Sequence, residues 1–403
     1  MSLTNYSGEF LVSPPPLELS MNYCSHKCAY CFANLNSPDR EFDFDGFVKQ
    51  IKGAKNQKSL TAHMVANNYP VLISNKVDPF AVSNYRQTLA VLEILKQNGN
   101  PIIWQTKGGI GIDEALQISP EPACWYISIS MLDDSIRKKI EPGAPSIEDR
   151  FILIEHLVSI GHSVSVGINP LVEDWLPLND LEKLCERLKS LGVHGVWIES
   201  LHLNNRQIAN LSKREMEALG SDIIRNSNPL RYGSAENYIM FATEHIRQFG
   251  LEVFTKQQPF KSNYFAPFEA MYGMDKTFRT MQGFINWCFE NKPEGAQVTF
   301  EEFVNYMDIP FLEEKYNDID GYLYTTARNI HKMYCDQTGN KRVHTLRQLL
   351  GIFWQAVENS KSPFYNMLFQ IPTDSKGNEI TDSKGYNIGV FNHTPKANAY
   401  ICI

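Results

Sequence analysis

No uninterrupted apolar run in these 403 residues approaches the roughly 20 needed to cross a bilayer, so membrane insertion is not expected. A basic surplus is lacking too. Lys and Arg number 38 against 45 Asp and Glu, a formal net charge of −7, whereas a chain gripping long nucleic acid through phosphate contacts alone carries the opposite balance. A local basic groove is compatible with that total. Eight cysteines are too sparse for a disulfide scaffold, and Pro14-Pro15-Pro16 stands where a secretory signal would place its apolar core. A reducing cytoplasm is the expected setting. What remains, 43% hydrophobic and 21% charged, is an ordinary globular composition with material for one large or two medium domains.

Three of the eight cysteines fall in one stretch, Cys24-Ser-His26-Lys-Cys28-Ala-Tyr30-Cys31-Phe32. Thiolates are soft ligands, and intervals this short let one loop aim three sulfurs at a single inorganic centre. A cubane that only carries electrons is normally held by four cysteines; three leave one iron open to another ligand. The alternative is a structural zinc site completed by His26, giving a zinc-stabilised binding module without catalysis. His26 lies too close in the chain to Cys24 and Cys28 for an easy tetrahedral wrap. Cys185 falls in the helical spacing Leu181-Cys185-Leu188-Leu191 and reads as core, while Cys288, Cys335 and Cys402 lack the close pairing of a second cluster site.

Short β-rich runs alternate with amphipathic stretches, the pattern of βα units and a parallel sheet. Strands are expected at Leu17–Leu19, Val71–Ser74, Ile102–Thr106, Trp125–Ser130, Ser163–Ile168 and Val196–Ile198. These six account for a first domain over 1–205. Residues 206–403 have fewer such runs and read as a helical accessory or substrate domain. Ser212-Lys-Arg-Glu215 begins like a capping box there, and Phe300, Phe303 and Tyr306 recur at core spacing. Thr373-Asp-Ser-Lys-Gly377 recurs as Thr381-Asp-Ser-Lys-Gly385, two turn signals in tandem.

The Cys-x3-Cys-x2-Cys spacing, with an aromatic residue before the last cysteine, resembles the radical S-adenosylmethionine (radical SAM) superfamily. That resemblance implies an α/β fold, a partial TIM-like (β/α)6 barrel with a mainly helical C-terminal domain. It implies a [4Fe-4S] cluster on Cys24, Cys28 and Cys31, whose open iron is chelated by SAM. One electron, from a reductant such as flavodoxin or ferredoxin, then cleaves SAM to methionine and a 5′-deoxyadenosyl radical. A strand followed by Asp78-Pro79-Phe80, then Ile129-Ser130 and Asp133, then Glu141-Pro142-Gly143-Ala144-Pro145-Ser146 and Arg150, resembles the spore photoproduct lyase-like branch.

Groups at the C-terminal ends of the strands are then the candidates for holding SAM. Ser74, Asn75 and Asp78 supply acceptors for its ammonium, with Asp78 preferred; an Asp-Pro turn is the plain alternative. Ser130 is placed to meet ribose hydroxyls, Arg150 to fork onto the carboxylate and Asn169 to meet ribose or adenine. Tyr30 and Phe32 would shield cluster and adenine from water. The chain departs from spore photoproduct lyase in having no cysteine between Cys31 and Cys124, so the thiol that returns hydrogen in that enzyme is missing and thymine-dimer repair is not expected. The substrate stays open between a nucleic acid or nucleotide and a peptide or small metabolite.

Overall fold

Short runs of β-branched and aromatic residues, buried on both faces, become the strands of a sheet. The computed structural model describes residues 4–5, 12–13, 17–19, 23–31, 42–73, 77–227, 233–255, 279–308, 311–319, 339, 342–355 and 369–392. The chain divides into two units, one of 1–4, 18–52 and 68–271, the other of 5–17, 53–67 and 272–403.

An 8-stranded sheet in chain order falls in the first unit, all but Asn5 and Leu17 at its edge. Its strands are β1 (Thr4–Asn5), β2 (Leu17–Leu19), β3 (Val71–Ile73), β4 (Ile102–Thr106), β5 (Cys124–Ser128), β6 (Ser163–Leu171), β7 (Gly195–Ser200) and β8 (Glu252–Phe254). From β3 to β8 every pairing is parallel. Helices α1 (Tyr85–Asn98), α2 (Ile112–Ile118), α3 (Asp134–Ile140), α4 (Ile147–Ser159), α5 (Leu178–Ser190), α6 (Lys213–Leu219) and α7 (Gly233–Gln248) fill the connections. The α/β class and the six expected strands are thus present. Among the described residues no strand pairing joins the two ends of the sheet.

Local chemistry sets the boundaries. Gly99, at φ 85°, closes α1 in the left-handed conformation that glycine adopts without penalty. Ser146 and Asp149 form a capping box at the start of α4, and Ser212 and Glu215 form the one expected at α6. In the core, Trp125 stacks on both Phe80 and Trp104, its centroid 5.2 Å from that of Trp104, while Phe80 and Trp104 meet at a tilt.

Two expectations are modified. The fifth strand does not stop at Ile168: β6 runs through Asn169-Pro170 to Leu171, with a register irregularity between Ile168 and Leu171. The sheet also continues past residue 205, because β8 pairs with β7 from Gly195 to Trp197. Gly195 permits that approach, since a Cβ there would sit 2.7 Å from the carbonyl oxygen of Glu252.

The second unit contains α8 (Met281–Asn291), α9 (Phe300–Met307) and α10 (Leu346–Gln355) beside a small antiparallel sheet of Gln297–Val298, Gly389–Phe391 and Phe369–Gln370. Phe300 and Phe303 are core residues as expected, packed near Trp354. Both Asp-Ser-Lys-Gly segments are turns. Asp374 and Asp382 each accept from two backbone N–H groups within the turn, and Gly377 and Gly385 take φ 83° and 84°. Cys185 and Cys288 are buried; Cys335 and Cys402 lie outside the described residues. Among the described residues no helix is long and apolar enough to cross a membrane.

Candidate active site

The loop Tyr23–Cys31 is pinned from several directions. Ser25 and Ser83 exchange backbone-to-hydroxyl bonds at 3.0 and 3.3 Å, Ala29 N–H donates to the Ile140 carbonyl at 2.8 Å, and Gly143 N–H donates to the His26 carbonyl at 3.0 Å. Gly143 has to be glycine-sized, since a Cβ would stand 2.3 Å from the Ser25 oxygen. The loop therefore has one outer face, with Tyr23 and Lys27 exposed, and one inner face, with Cys24, His26 and Cys28 buried.

That inner face lines a cavity of about 240 Å³, where Cys24, Cys28 and Cys31 meet the C-terminal ends of β4 to β7. None of the three cysteines is in a disulfide. Burial, with Asp78 adding to it, pushes the Cys24 thiol up to about 11, and burial drives Cys28 well above its ordinary value. Burial thus favours the protonated thiol at Cys24 and Cys28, and a positive centre is what would hold them as thiolates. Among the described residues no group of three or more His, Cys, Asp or Glu is gathered tightly enough for a single metal ion. A cubane asks for a wider spread, because each thiolate binds a different corner. His26, the fourth donor of a zinc site, has its Nδ1 3.5 Å from Asp78 Oδ2 and without a hydrogen-bond partner among the described residues. Three soft thiol donors on one cavity wall are a donor set that fits an iron–sulfur cluster.

Asp78 lines the cavity and organises its floor. Its Oδ1 accepts from Phe80 N–H at 3.0 Å and Thr106 Oγ1 at 2.7 Å, and its Oδ2 accepts from Lys107 N–H at 2.6 Å. The turn role and the site position coincide. Tyr30 lines the same space, its ring 5.7 Å from Trp175. Asn169 lines it from β6 and donates to Glu199 Oε2 at 3.0 Å, so the end of β7 contributes a carboxylate to the opposite wall. His202 Nε2 lies 3.2 Å from Ser200 Oγ beside it.

Arg150 is not brought to the cavity. Its guanidinium is fully buried and donates to Glu141 Oε2 at 2.5 Å, the Ser128 carbonyl at 2.9 Å and the Pro145 carbonyl at 3.1 Å, so its fork meets an internal carboxylate instead of a ligand's. Ser130 is likewise fully buried, its hydroxyl without a partner, and Ser128 lines the cavity in its place. Phe32, Ser74 and Asn75 lie outside the described residues.

The cation on the wall is Lys107, which sequence reasoning passed over. Its Nζ donates to Ser128 Oγ at 3.1 Å, lies 3.8 Å from Glu141 Oε1 and sits 5.6 Å above the Tyr30 ring. Glu141 is entirely buried. It also accepts from the Tyr30 hydroxyl. Burial alone would raise its carboxyl, but Arg150 and then Lys107 outweigh that and hold it at about 2. Lys107 and Glu199 both stand at strand ends, the signal that could have found them; Glu141 had only its place in the Glu-Pro-Gly stretch. Cys124 opens β5, at the end of the strand away from the cavity.

No family profile matches the chain. Three curated mycobacterial proteins do, two from Mycobacterium tuberculosis strains and one from Mycobacterium bovis, each 26% identical over 197 residues and each described as uncharacterized. The match takes in 45% of this chain, and the chain spans 56% of the length of these relatives. Among solved structures, SuiB from Streptococcus suis bound to its precursor peptide SuiA is similar over 64% of this chain and 51% of its own, at 13% identity and TM-score 0.40. A radical SAM methyltransferase from Sphaerobacter thermophilus gives 60% and 65%, 18% identity and 0.41. Spore photoproduct lyase complexed with dinucleoside spore photoproduct gives 57% and 72%, 14% identity and 0.42. Likenesses this loose assign no residue of this chain. The functional reading rests on the cysteine loop and its cavity.

Proposed function

We propose that this chain is a radical SAM enzyme, with Cys24, Cys28 and Cys31 as ligands of a [4Fe-4S] cluster and SAM bound beside it in the cavity. The observation that carries this reading is the placement of three thiols, from one loop at 3-and-2 spacing, on the wall of a cavity otherwise lined by polar strand ends. When bound, the cluster supplies the one electron that cleaves SAM.

The protein's own residues have separable tasks. Asp78 faces the ligand's ammonium with a carboxylate already oriented by Thr106 and Lys107. Lys107, the one Lys or Arg side chain lining the cavity among the described residues, meets the ligand's carboxylate. Asn169, held by Glu199, contributes hydrogen bonds to the ribose or adenine. Tyr30 and the buried face of the loop keep water from the cluster. An outside one-electron carrier, flavodoxin or ferredoxin in type, supplies the reductant, and the substrate is a nucleic acid or nucleotide, or a peptide or small metabolite.

Anaerobic loading with iron and sulfide tests the cluster. The parent is expected to take up both in equal amounts, turn brown and, once reduced with dithionite, show an electron paramagnetic resonance signal that shifts on adding SAM. The Cys24→Ala/Cys28→Ala/Cys31→Ala variant should do none of these. A colourless parent containing zinc and indifferent to SAM would make the loop a structural element of a zinc-stabilised binding module.

A further inference from the structure

We propose that Glu141, anchored by Arg150, is a positioning residue for the SAM site: through Lys107 it sets where the anionic end of the ligand binds. The inference rests on the radical SAM reading above. A fully buried ion pair is a poor way to gain stability, because desolvating both charges cancels most of their attraction, so its presence directly behind a cavity calls for another explanation.

The bonding divides that task plainly. Glu141 Oε2 is taken by Arg150 at 2.5 Å. Arg150 also donates Nε–H and an Nη2–H to the Pro145 carbonyl and an Nη1–H to that of Ser128, bonds from all three nitrogens that fix the plane of the guanidinium. Glu141 Oε1 is thereby aimed at the cavity side, where it accepts from Tyr30 and faces Lys107 Nζ at 3.8 Å. Ser128 is used twice, its carbonyl by Arg150 and its hydroxyl by Lys107.

An ammonium has three N–H groups. Ser128 takes one N–H of the Lys107 ammonium, and Glu141, at 3.8 Å, draws the charge to its side without a hydrogen bond, so N–H groups are left for the cavity. Lysine is a point charge on a flexible four-carbon stem, and Ser128, Glu141 and the Tyr30 ring, itself bonded to Glu141, hold it against the wall. The same carboxylate accepts from the hydroxyl of Tyr30, the residue just before Cys31, so one buried group registers the cysteine loop against the cation opposite.

A Glu141→Leu/Arg150→Met variant separates positioning from stability, because exchanging both members of a buried pair for apolar residues of similar volume often leaves stability unchanged. Glu141→Gln is the second variant, keeping the shape and removing the charge. Unfolding in urea and equilibrium binding of SAM to the iron–sulfur-loaded chain are measured on the parent, both variants, Lys107→Met, and Lys107→Met combined with each. The expected result is SAM affinity about tenfold weaker or more in either folded variant, the loss of one hydrogen bond to a charged group. Adding Lys107→Met to them should then cost nothing further, since the two sites act through one contact. Parental affinity in a folded variant, or losses that simply add to that of Lys107→Met, would overturn the positioning role. A parent that fails to bind SAM at all would overturn the radical SAM reading itself.

Discussion

A carboxylate with no exposure stays ionised at Glu141 because two cations flank it. Its folded value, about 2, lies below the ordinary 4.5, so the stabilisation is fully present above 4.5 and is lost as pH falls through about 2. Glu141→Gln is therefore expected to be less stable than the parent at neutral pH, by about 3–5 kcal/mol for a charge left unpaired in the interior. Urea unfolding at a series of pH values checks this: the gap should close between pH 4.5 and 2, and parallel curves would count against the pair. At this scale the cysteines are legible in the sequence because their spacing is local. Which cation faces the cavity is not, because Arg150 and Lys107 are told apart only by Glu141, nine residues from the one and far along the chain from the other.

At the scale of elements, the site is a junction between the cysteine loop and the turn joining α3 to α4. Gly143 is where they touch. A Cβ there would press on the Ser25 oxygen at 2.3 Å and the His26 Cα at 2.9 Å, so Gly143→Ala is expected to displace the loop and reduce the iron retained per chain, with Gly161→Ala, in open space, as the control for left-handed or turn glycines generally. Iron content after desalting reads the difference. Three residues on, the Ser146 capping box starts α4, the helix that carries Arg150. Ser146→Ala should cost about 1 kcal/mol in unfolding free energy, with SAM affinity reduced only as far as Arg150 moves. Strand positions follow from the alternation of apolar runs. The run of β6 through Asn169-Pro170 does not, because Asn before Pro is a turn signal locally and only pairing with β7 carries the strand onward.

Over the whole molecule, chain order and spatial grouping diverge. Residues 53–67, read from sequence as part of the first domain, group with the second unit. The helix Leu60–Ala66 starts there, its first N–H groups received by the Asp318 carboxylate at 2.7 and 3.4 Å. Ser59 caps the helix locally by accepting from Ala62 N–H at 3.0 Å, but no local pattern announces the added carboxylate from 258 residues away. Asp318→Ala is expected to lower the stability of that unit by about 1 kcal/mol, seen as a downward shift of its urea midpoint. The strand β8 is hidden for a related reason: three residues long, it becomes recognisable only once Gly195 lets it approach β7. What the sequence does make legible at this scale is the α/β class and the end of the sheet at which polar groups collect, since both follow from periodicity and from the chemistry of strand ends.

The central claim is that the cysteine loop supports reductive cleavage of SAM. The most direct measurement is 5′-deoxyadenosine formed when the anaerobically loaded chain is reduced in the presence of SAM, compared with the Cys24→Ala/Cys28→Ala/Cys31→Ala variant. The account predicts product from the parent and none from the variant. A parent that binds zinc, stays colourless and forms no 5′-deoxyadenosine would contradict it.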